Sequence, residues 1–372
     1  MKVIPVEELK AGIKFNMPVY VDGENLLVPE NVEIRQKDID RLFKWGIAEV
    51  VTEGSIIAEG NRSGSESKPI SGVSENLAVH FDFAVSVMDR FFSDCRKGLN
   101  LNKADIDDVM EDFYPLILDN LEDSLILTTM KKDGGDELSQ PAVKCLILST
   151  VLAVKIKIPP HRLINIAKAA LIHDMGMTRI PQTIIKKKGK LTPAELEKVK
   201  THSVYAYRLA IKELGFPEEV GRIAMGHHER WDGKGYPRGL AQNKISVGAR
   251  ILSVTDAFVA MSKDRPDRDS LLGYTAIRQI LNDNSRRFDP GILKIFIQSI
   301  GIYPRGSIVI LNNGAIGKIV QIRAAAPLRP GIQILIDERG RKPKKEIQVV
   351  DLFHEKNLFI TRAVDPKELV RG

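Results

Sequence analysis

The run His227-His228-Glu229-Arg230-Trp231-Asp232-Gly233-Lys234-Gly235-Tyr236-Pro237 constrains this chain more than any other stretch of it. Two adjacent imidazoles lead into a segment with residues suited to tight backbone turns: Gly233, Gly235 and Pro237. Each ring carries two polar nitrogens, so adjacent histidines in a core need partners for all of them. A metal is the simplest common partner. The chain has 7 histidines, and His173, His202, His227 and His228 fall in this one region.

Other residues join the pattern. His173-Asp174 closes an apolar helix expected over 164–171 and is followed by Met175-Gly176. Successive residues on a helix diverge by about 100°, so the pair can serve two ions, or one ion and a bridging solvent. His202 lies in the helix that Thr192 opens, and His227-His228 end the next one. Asp256 lies in an apolar helix expected over 247–261, where an unpaired carboxylate is unfavourable without a cation. Imidazole and carboxylate donors with no thiolate favour Fe, Mn or Zn. Ligands shared among several helices are how bundles build dinuclear sites. Two ions about 3.5–4 Å apart would activate a water and stabilise the leaving oxygen of a phosphate ester.

Around this region the periodicity predicts a multidomain, mainly α chain. Residues 1–54 read as a small α+β module, with strands at 17–21, 26–28 and 48–51, a turn at Asp22-Gly23, and a helix over 34–45. The Gly-, Ser- and Glu-rich stretch 55–74 reads as a flexible linker. From 75 to 302 the spacing is helical, with segments over 75–97, 103–130, 140–157 and 162–175. Thr192-Pro193-Ala194-Glu195 is a helix start with a capping box, and Asp289-Pro290 opens a helix over 291–300. Residues 303–372 change to period two. Strands at 307–311, 316–322, 332–336 and 347–352, with an Asn313-Gly314 turn, predict a small antiparallel β module.

Composition narrows the function classes. The net charge of +7 suits an anionic ligand, although a solvated basic surface is the commoner meaning. The chain lacks an arginine stripe interleaved with aromatics, which argues against polymeric nucleic acid as its main partner. No apolar run approaches the roughly 20 residues of a membrane helix, and residues 1–10 lack the pattern of a signal peptide. A cytoplasmic protein is expected. Cys95 and Cys145 are too few and too far apart to suggest a disulfide framework or a thiolate metal site.

With His173-Asp174, His202, His227-His228, Asp256 and the unbroken run to Gly235-Tyr236-Pro237, the chain resembles the HD-GYP branch of the HD phosphohydrolases. The resemblance covers roughly 137–300, and residues 1–54 look like the small module often found before such domains. It implies an HD-type helical bundle that hydrolyses the bacterial second messenger cyclic di-GMP to the linear dinucleotide or GMP. It implies two divalent ions, or three, with Fe or Mn favoured. His173, Asp174, His202, His227, His228 and Asp256 would be metal ligands, and Glu137 matches an acidic ligand of the three-metal subset. Asp174 would be the catalytic residue, acting with a metal-bound hydroxide. Arg265 and Arg268 match the pair that grips the ligand's phosphates, a role suited to the guanidinium fork; a solvated loop is the bland alternative. Gly235, Tyr236 and Pro237 would shape a substrate-binding loop, which Arg230 and Asp232 orient. A signalling-protein partner and a homodimer are further expectations.

The pattern departs from the family at three positions. Where members carry a further imidazole ahead of the HD pair, this chain has Pro141, between Gln140 and Ala142. Gln140, Glu137 or water would have to replace it. Met177 stands where HD-x-G-K places a lysine, and Val259 where many members have a second aspartate. Loss of one catalytic electrostatic group lowers rate on the order of 10²–10³-fold. Three readings therefore stay open: a cyclic di-GMP phosphodiesterase, a weak or inactive metal- and ligand-binding signalling module, and a phosphohydrolase for another nucleotide.

Overall fold

The structure, a computed structural model, describes residues 2–21, 26–28, 30, 32–44, 47–56, 74–129, 136–261, 273–283, 286–342 and 349–364. The chain divides into two compact units, Met1–Ser71 with Ala78–Phe83 and Gly72–Leu77 with Ala84–Gly372.

In the first unit, β1 (Lys2–Pro5), β2 (Val19–Tyr20), β3 (Leu26–Val28) and β4 (Glu49–Thr52) form an antiparallel sheet of order β1-β4-β2-β3. One helix, α1 (Gln36–Lys44), accompanies it. Val19, Val28 and Val50 from the strands and Ile34 and Leu42 around the helix close the core with Phe15. The strand expected over 17–21 is only two residues long. β1, which the sequence reading did not foresee, completes the sheet by pairing Lys2 with Thr52 through Pro5 with Glu49. The turn expected at Asp22-Gly23 and nearly all of the expected linker lie outside the described residues.

The second unit is mainly helical. In chain order the helices after α1 are α2 (Glu75–Lys97), of which Ala78–Phe83 group with the first unit, α3 (Lys103–Asp112), α4 (Tyr114–Asp119), α5 (Leu121–Leu127), α6 (Ser139–Lys155) and α7 (Pro160–Ile172). There follow α8 (Gln182–Ile185), α9 (Pro193–Lys200), α10 (His202–Lys212), α11 (Glu218–Met225), α12 (Val247–Met261), α13 (Gly273–Asn282) and α14 (Pro290–Ile300). No helix among the described residues is long and apolar enough to cross a membrane. The single helix expected over 103–130 is three. Pro115 in the first turn of α4 resets the chain, and Asn120 leaves helical geometry at φ −132°, ψ 49° while its side-chain amide donates to the Leu116 carbonyl.

α6 is the axis of the bundle. From 142 to 153 every residue is buried, as expected of a helix apolar on all faces. α7, α12 and α14 pack against it. A short 3₁₀ turn at Met175–Arg179 lies on α10, and Gly176 makes that contact possible: a Cβ there would collide with the His202 carbonyl. The chain after α7 is thereby pressed against the start of α10. Both expected caps form. Thr192 and Glu195 exchange both capping-box bonds, and the Asp289 carboxylate accepts from the Gly291 and Ile292 amides.

Beyond the helices, β5 (Ile308–Leu311), β6 (Ile316–Gln321), β7 (Gly331–Ile336), β8 (Val349–Asp351) and β9 (Ile360–Val364) form an antiparallel sheet of order β8-β7-β6-β5-β9. The Asn313-Gly314 turn joins β5 to β6, with Gly314 at φ +85°. Val309, Leu311, Ile319, Ile332 and Leu352 form this sheet's core. β9 is an addition to the expected strands, and it forms one edge of the sheet, with Thr361 and Arg362 exposed. Two contacts tie the sheet's lead-in to the helices: Tyr274 of α13 stacks on Tyr303 with ring centroids 4.6 Å apart, and Arg305 pairs with Asp123 of α5 at 3.0 Å.

Candidate metal centre

Three helix junctions aim histidines into one space. His173 ends α7, His202 begins α10, and His227 follows α11. Each ring commits its Nδ1–H to a carbonyl three residues back. His173 donates to Ala170 at 2.9 Å, His202 to Val199 at 2.7 Å, and His227 to Ala224 at 2.5 Å. This fixes each ring's orientation and turns every Nε2 toward the others, where His202 and His227 offer a free lone pair. His202 Nε2 and His227 Nε2 lie 3.4 Å apart, and His173 Nε2 is buried without a hydrogen-bond partner. Acceptors that close together in a buried site call for a cation between them.

The carboxylates complete the arrangement. Asp174 Oδ1 lies 3.4 Å from His202 Nε2 and 3.8 Å from His227 Nε2, while its Oδ2 lies 3.6 Å from His173 Nε2. Asp256, from α12, places Oδ1 3.6 Å from the same His173 nitrogen. The donors fall into two groups, Asp174 with His202, His227 and His228, and His173 with Asp256 and Cys145; within each, all ligand atoms lie within 4.8 Å of one another. The two oxygens of Asp174 face the two groups. The donor set fits divalent metal. Cys145, to which the sequence reading gave no place in the site, lies beside it: α6 carries it, fully buried, into the second group.

Electrostatics follow from burial and these neighbours. Burial pushes the His227 ring down, to about 4, with His173 and His202 adding to the effect, and it holds His228 well below the usual histidine range. His173 differs: burial opposes its charge, but Asp174 and Asp256 outweigh burial and hold it up, at about 9. Burial would raise Asp256, yet His173 beside it holds that carboxyl down, at about 2. Burial and the carboxylates of Asp256 and Asp174 push the Cys145 thiol well up. Burial thus disfavours charge on His227, His228 and Cys145, while His173 and Asp256 hold each other charged.

The opening run of the sequence closes over the centre as a loop. The His228 ring lies 3.9 Å from that of His227 and 4.7 Å from that of Tyr236, centroid to centroid. The Tyr236 amide donates to the His228 carbonyl, and Tyr236 meets Pro237 through a cis peptide bond. Gly235 is required by close approach: a Cβ there would lie 2.5 Å from the His228 carbonyl oxygen. Arg230 grips Asp232 through two hydrogen bonds of 3.0 and 2.8 Å, and the Trp231 and Asp232 amides donate to the carbonyls of Arg287 and Arg286. Glu229, to which the sequence reading gave no role, is 2% exposed and accepts from the amides of Arg238 and Leu240 at 2.8 Å each. Lys200, likewise unforeseen, places its ammonium 5.7 Å from the Tyr236 ring centre.

The remaining expected residues lie elsewhere. Glu137 is in neither donor group; Arg96 approaches its carboxylate at 3.7 Å. Pro141 lies in the first turn of α6, where its missing N–H leaves no helical bond unmade. Met177 sits in the 3₁₀ turn after Asp174, and Val259 is buried in α12. Arg265 and Arg268 lie outside the described residues.

Comparison with known proteins agrees with this geometry. Residues 127–292 match the HD domain, and residues 308–372 match a KOW domain associated with the HD domain. The chain is 31% identical over 261 residues to a cyclic di-GMP phosphodiesterase of Pseudomonas aeruginosa, covering 70% of this chain and 62% of that protein. It is 24% identical to a cyclic di-GMP phosphodiesterase of Borreliella burgdorferi over 98% of this chain and 96% of that one. Its fold matches that of an HDG"Y"P protein from Bdellovibrio bacteriovorus with a TM-score of 0.50 at 16% identity, covering 79% of this chain and 97% of that structure.

Proposed function

We propose a function from one premise: the chain belongs to the HD domain family, in its HD-GYP branch. On that premise it is a metal-dependent phosphodiesterase that hydrolyses cyclic di-GMP to the linear dinucleotide or onward to GMP. The observation that carries this reading is the convergence of three Nε2 acceptors on the two oxygens of Asp174, with every Nδ1 committed to backbone. His173, Asp174, His202, His227, His228 and Asp256 would hold two divalent ions, Fe or Mn, and the ion pair of Glu137 with Arg96 favours two over three. Bound divalent ions supply Lewis-acid activation of water and stabilise charge on the phosphate oxygens.

The chain's own residues supply position and exclude water. Asp174 spans both donor groups, so its carboxylate can orient the attacking water against the scissile phosphorus and accept its hydrogen bond. Tyr236, against His228, offers a face on which a base can stack at the rim of the centre. Arg265 and Arg268 would position the phosphates, and Lys200 brings positive charge to the Tyr236 ring. Met177 supplies neither charge nor donor, which predicts slow turnover. A cytoplasmic location, a signalling-protein partner and a homodimer belong to the same reading.

The test is protein loaded anaerobically with Fe(II) or Mn(II) and incubated with cyclic di-GMP and, separately, with other cyclic dinucleotides. Linear dinucleotide from cyclic di-GMP is the expected product. Metal-replete protein giving no product at high enzyme concentration would overturn hydrolysis. Tight binding without turnover would instead favour a signalling module, and preferential cleavage of another nucleotide would reassign the substrate.

A further inference from the structure

The thiol of Cys145 lies in the metal centre, on the axial helix of the bundle. Its sulfur, a His173 ring nitrogen and an Asp256 oxygen all lie within 4.8 Å of one another. Cys145 comes four residues after Pro141 on α6, so the two positions share a helix face one turn apart. Pro141 offers no donor atom, and the thiol is the next group along that face. His173 Nε2, buried at 1% exposure and without a hydrogen-bond partner, belongs to the same donor group. A buried cysteine usually behaves as a small apolar side chain. Here its neighbours are a buried imidazole nitrogen with no hydrogen-bond partner and a partly buried carboxylate, which is not apolar company.

We propose that Cys145 is a thiolate ligand to the ion held by His173 and Asp256, in place of the imidazole that Pro141 does not supply. The inference rests on the metal-centre reading above. Bonds of about 2.0–2.3 Å to nitrogen, oxygen and sulfur put tetrahedral ligand atoms about 3.3–3.8 Å apart, so small side-chain rotations close the group around an ion. As the sulfur–metal bond forms, the thiol proton passes to solvent. The two positions then differ in kind. The group of Asp174, His202, His227 and His228 offers only nitrogen and oxygen, while the group with Cys145 adds a soft donor that favours Zn or Fe(II) over Mn.

Full-length protein loaded with Co(II) under reducing conditions tests this, with metal content measured alongside. The chain has only 2 cysteines, so a thiolate-to-cobalt charge-transfer band must come from Cys95 or Cys145. The native protein and Cys95→Ser are expected to show the band, and Cys145→Val and Cys145→Ser to lose it. Cys145→Ser stays close to the thiol in size, and it should weaken one of two ion affinities by at least the roughly 10-fold seen when a supporting partner of a metal ligand is lost. X-ray absorption on native protein requires no substitution, and should find a sulfur scatterer at about 2.3 Å. Bound metal with no sulfur neighbour, or a band that survives in Cys145→Val, would overturn the assignment. Absence of any bound metal would overturn the centre itself. A sulfur neighbour in protein that does not cleave cyclic di-GMP would sink the proposed activity while supporting the ligand.

Discussion

Each histidine that converges on the centre is held by its own helix turn. Since Nδ1–H of His173, His202 and His227 donates to the carbonyl three residues earlier, ring orientation and tautomer are fixed before any ion arrives. His228 is placed instead by the loop that folds back on it, where the Tyr236 amide donates to its carbonyl, and Gly235 governs that loop. A Cβ at 235 would lie 2.5 Å from the His228 carbonyl oxygen and 2.6 Å from Glu229 Cα. Both are backbone atoms, so the clash cannot be relieved by a side-chain rotation. Gly235→Ala should therefore destabilise the protein by about 1–3 kcal/mol and displace His228. Thermal unfolding with metal analysis is expected to show a lower midpoint and loss of metal first from the His228 group; unchanged midpoint and occupancy would refute the steric role. The histidines and aspartates were legible in the sequence because buried polar rings and carboxylates demand partners. Cys145 was not, since a lone cysteine in an apolar helix has the pattern of core packing. Glu229 was equally silent, because a carboxylate that accepts backbone amides leaves no spacing to recognise.

At the scale of elements, helix ends decide where the ligands go, and helix ends are where the sequence speaks most clearly. Thr192 and Asp289 were readable as caps because a short side-chain oxygen, a proline and, at 195, a glutamate each answer a specific unpaired amide. The break between α3, α4 and α5 was hidden by a continuous apolar period; it shows only in Pro115 and in the Asn120 amide bond to Leu116. β1 and β9 were obscured for a different reason: their side chains are largely exposed, and their partners lie far away in sequence. The cap at Thr192 opens α9, directly before the helix that carries His202, and Glu195 also binds Lys187 at 2.6 Å. Thr192→Ala should lower stability by about 1 kcal/mol, as for other lost caps. The His202 ring is anchored at the far end of α9, through the Val199 carbonyl, and its backbone packs against Gly176, so metal content should not fall when only the cap at the other end is lost. Chemical denaturation and metal analysis of the variant would check both halves, and a large drop in occupancy would show that fraying at the Thr192 end reaches the ligand.

At the scale of the whole molecule, the metal donors all belong to the second unit, while the first has a separate core built on Phe15, Val19, Ile34 and Leu42. Ligands that bind only the folded state stabilise it by mass action, by about 2.7 kcal/mol per site at a hundredfold excess over Kd. The centre adds a second contribution. Without a cation, the carboxylates of Asp174 and Asp256 crowd His173, and the ring nitrogens of His202 and His227 face each other in the buried interior, an arrangement that burial alone disfavours. Chelation should therefore lower the unfolding midpoint of the second unit by several degrees and leave the first unit unmoved. Hydrogen exchange resolved by segment can read the two units separately. Protection is expected to fall at 170–174, 199–203 and 224–229 on metal removal and to recover when the ion is restored. Equal loss across residues 2–21 would show that the metal stabilises the chain as a single cooperative body, and no loss at all would mean that the buried donors are satisfied without an ion.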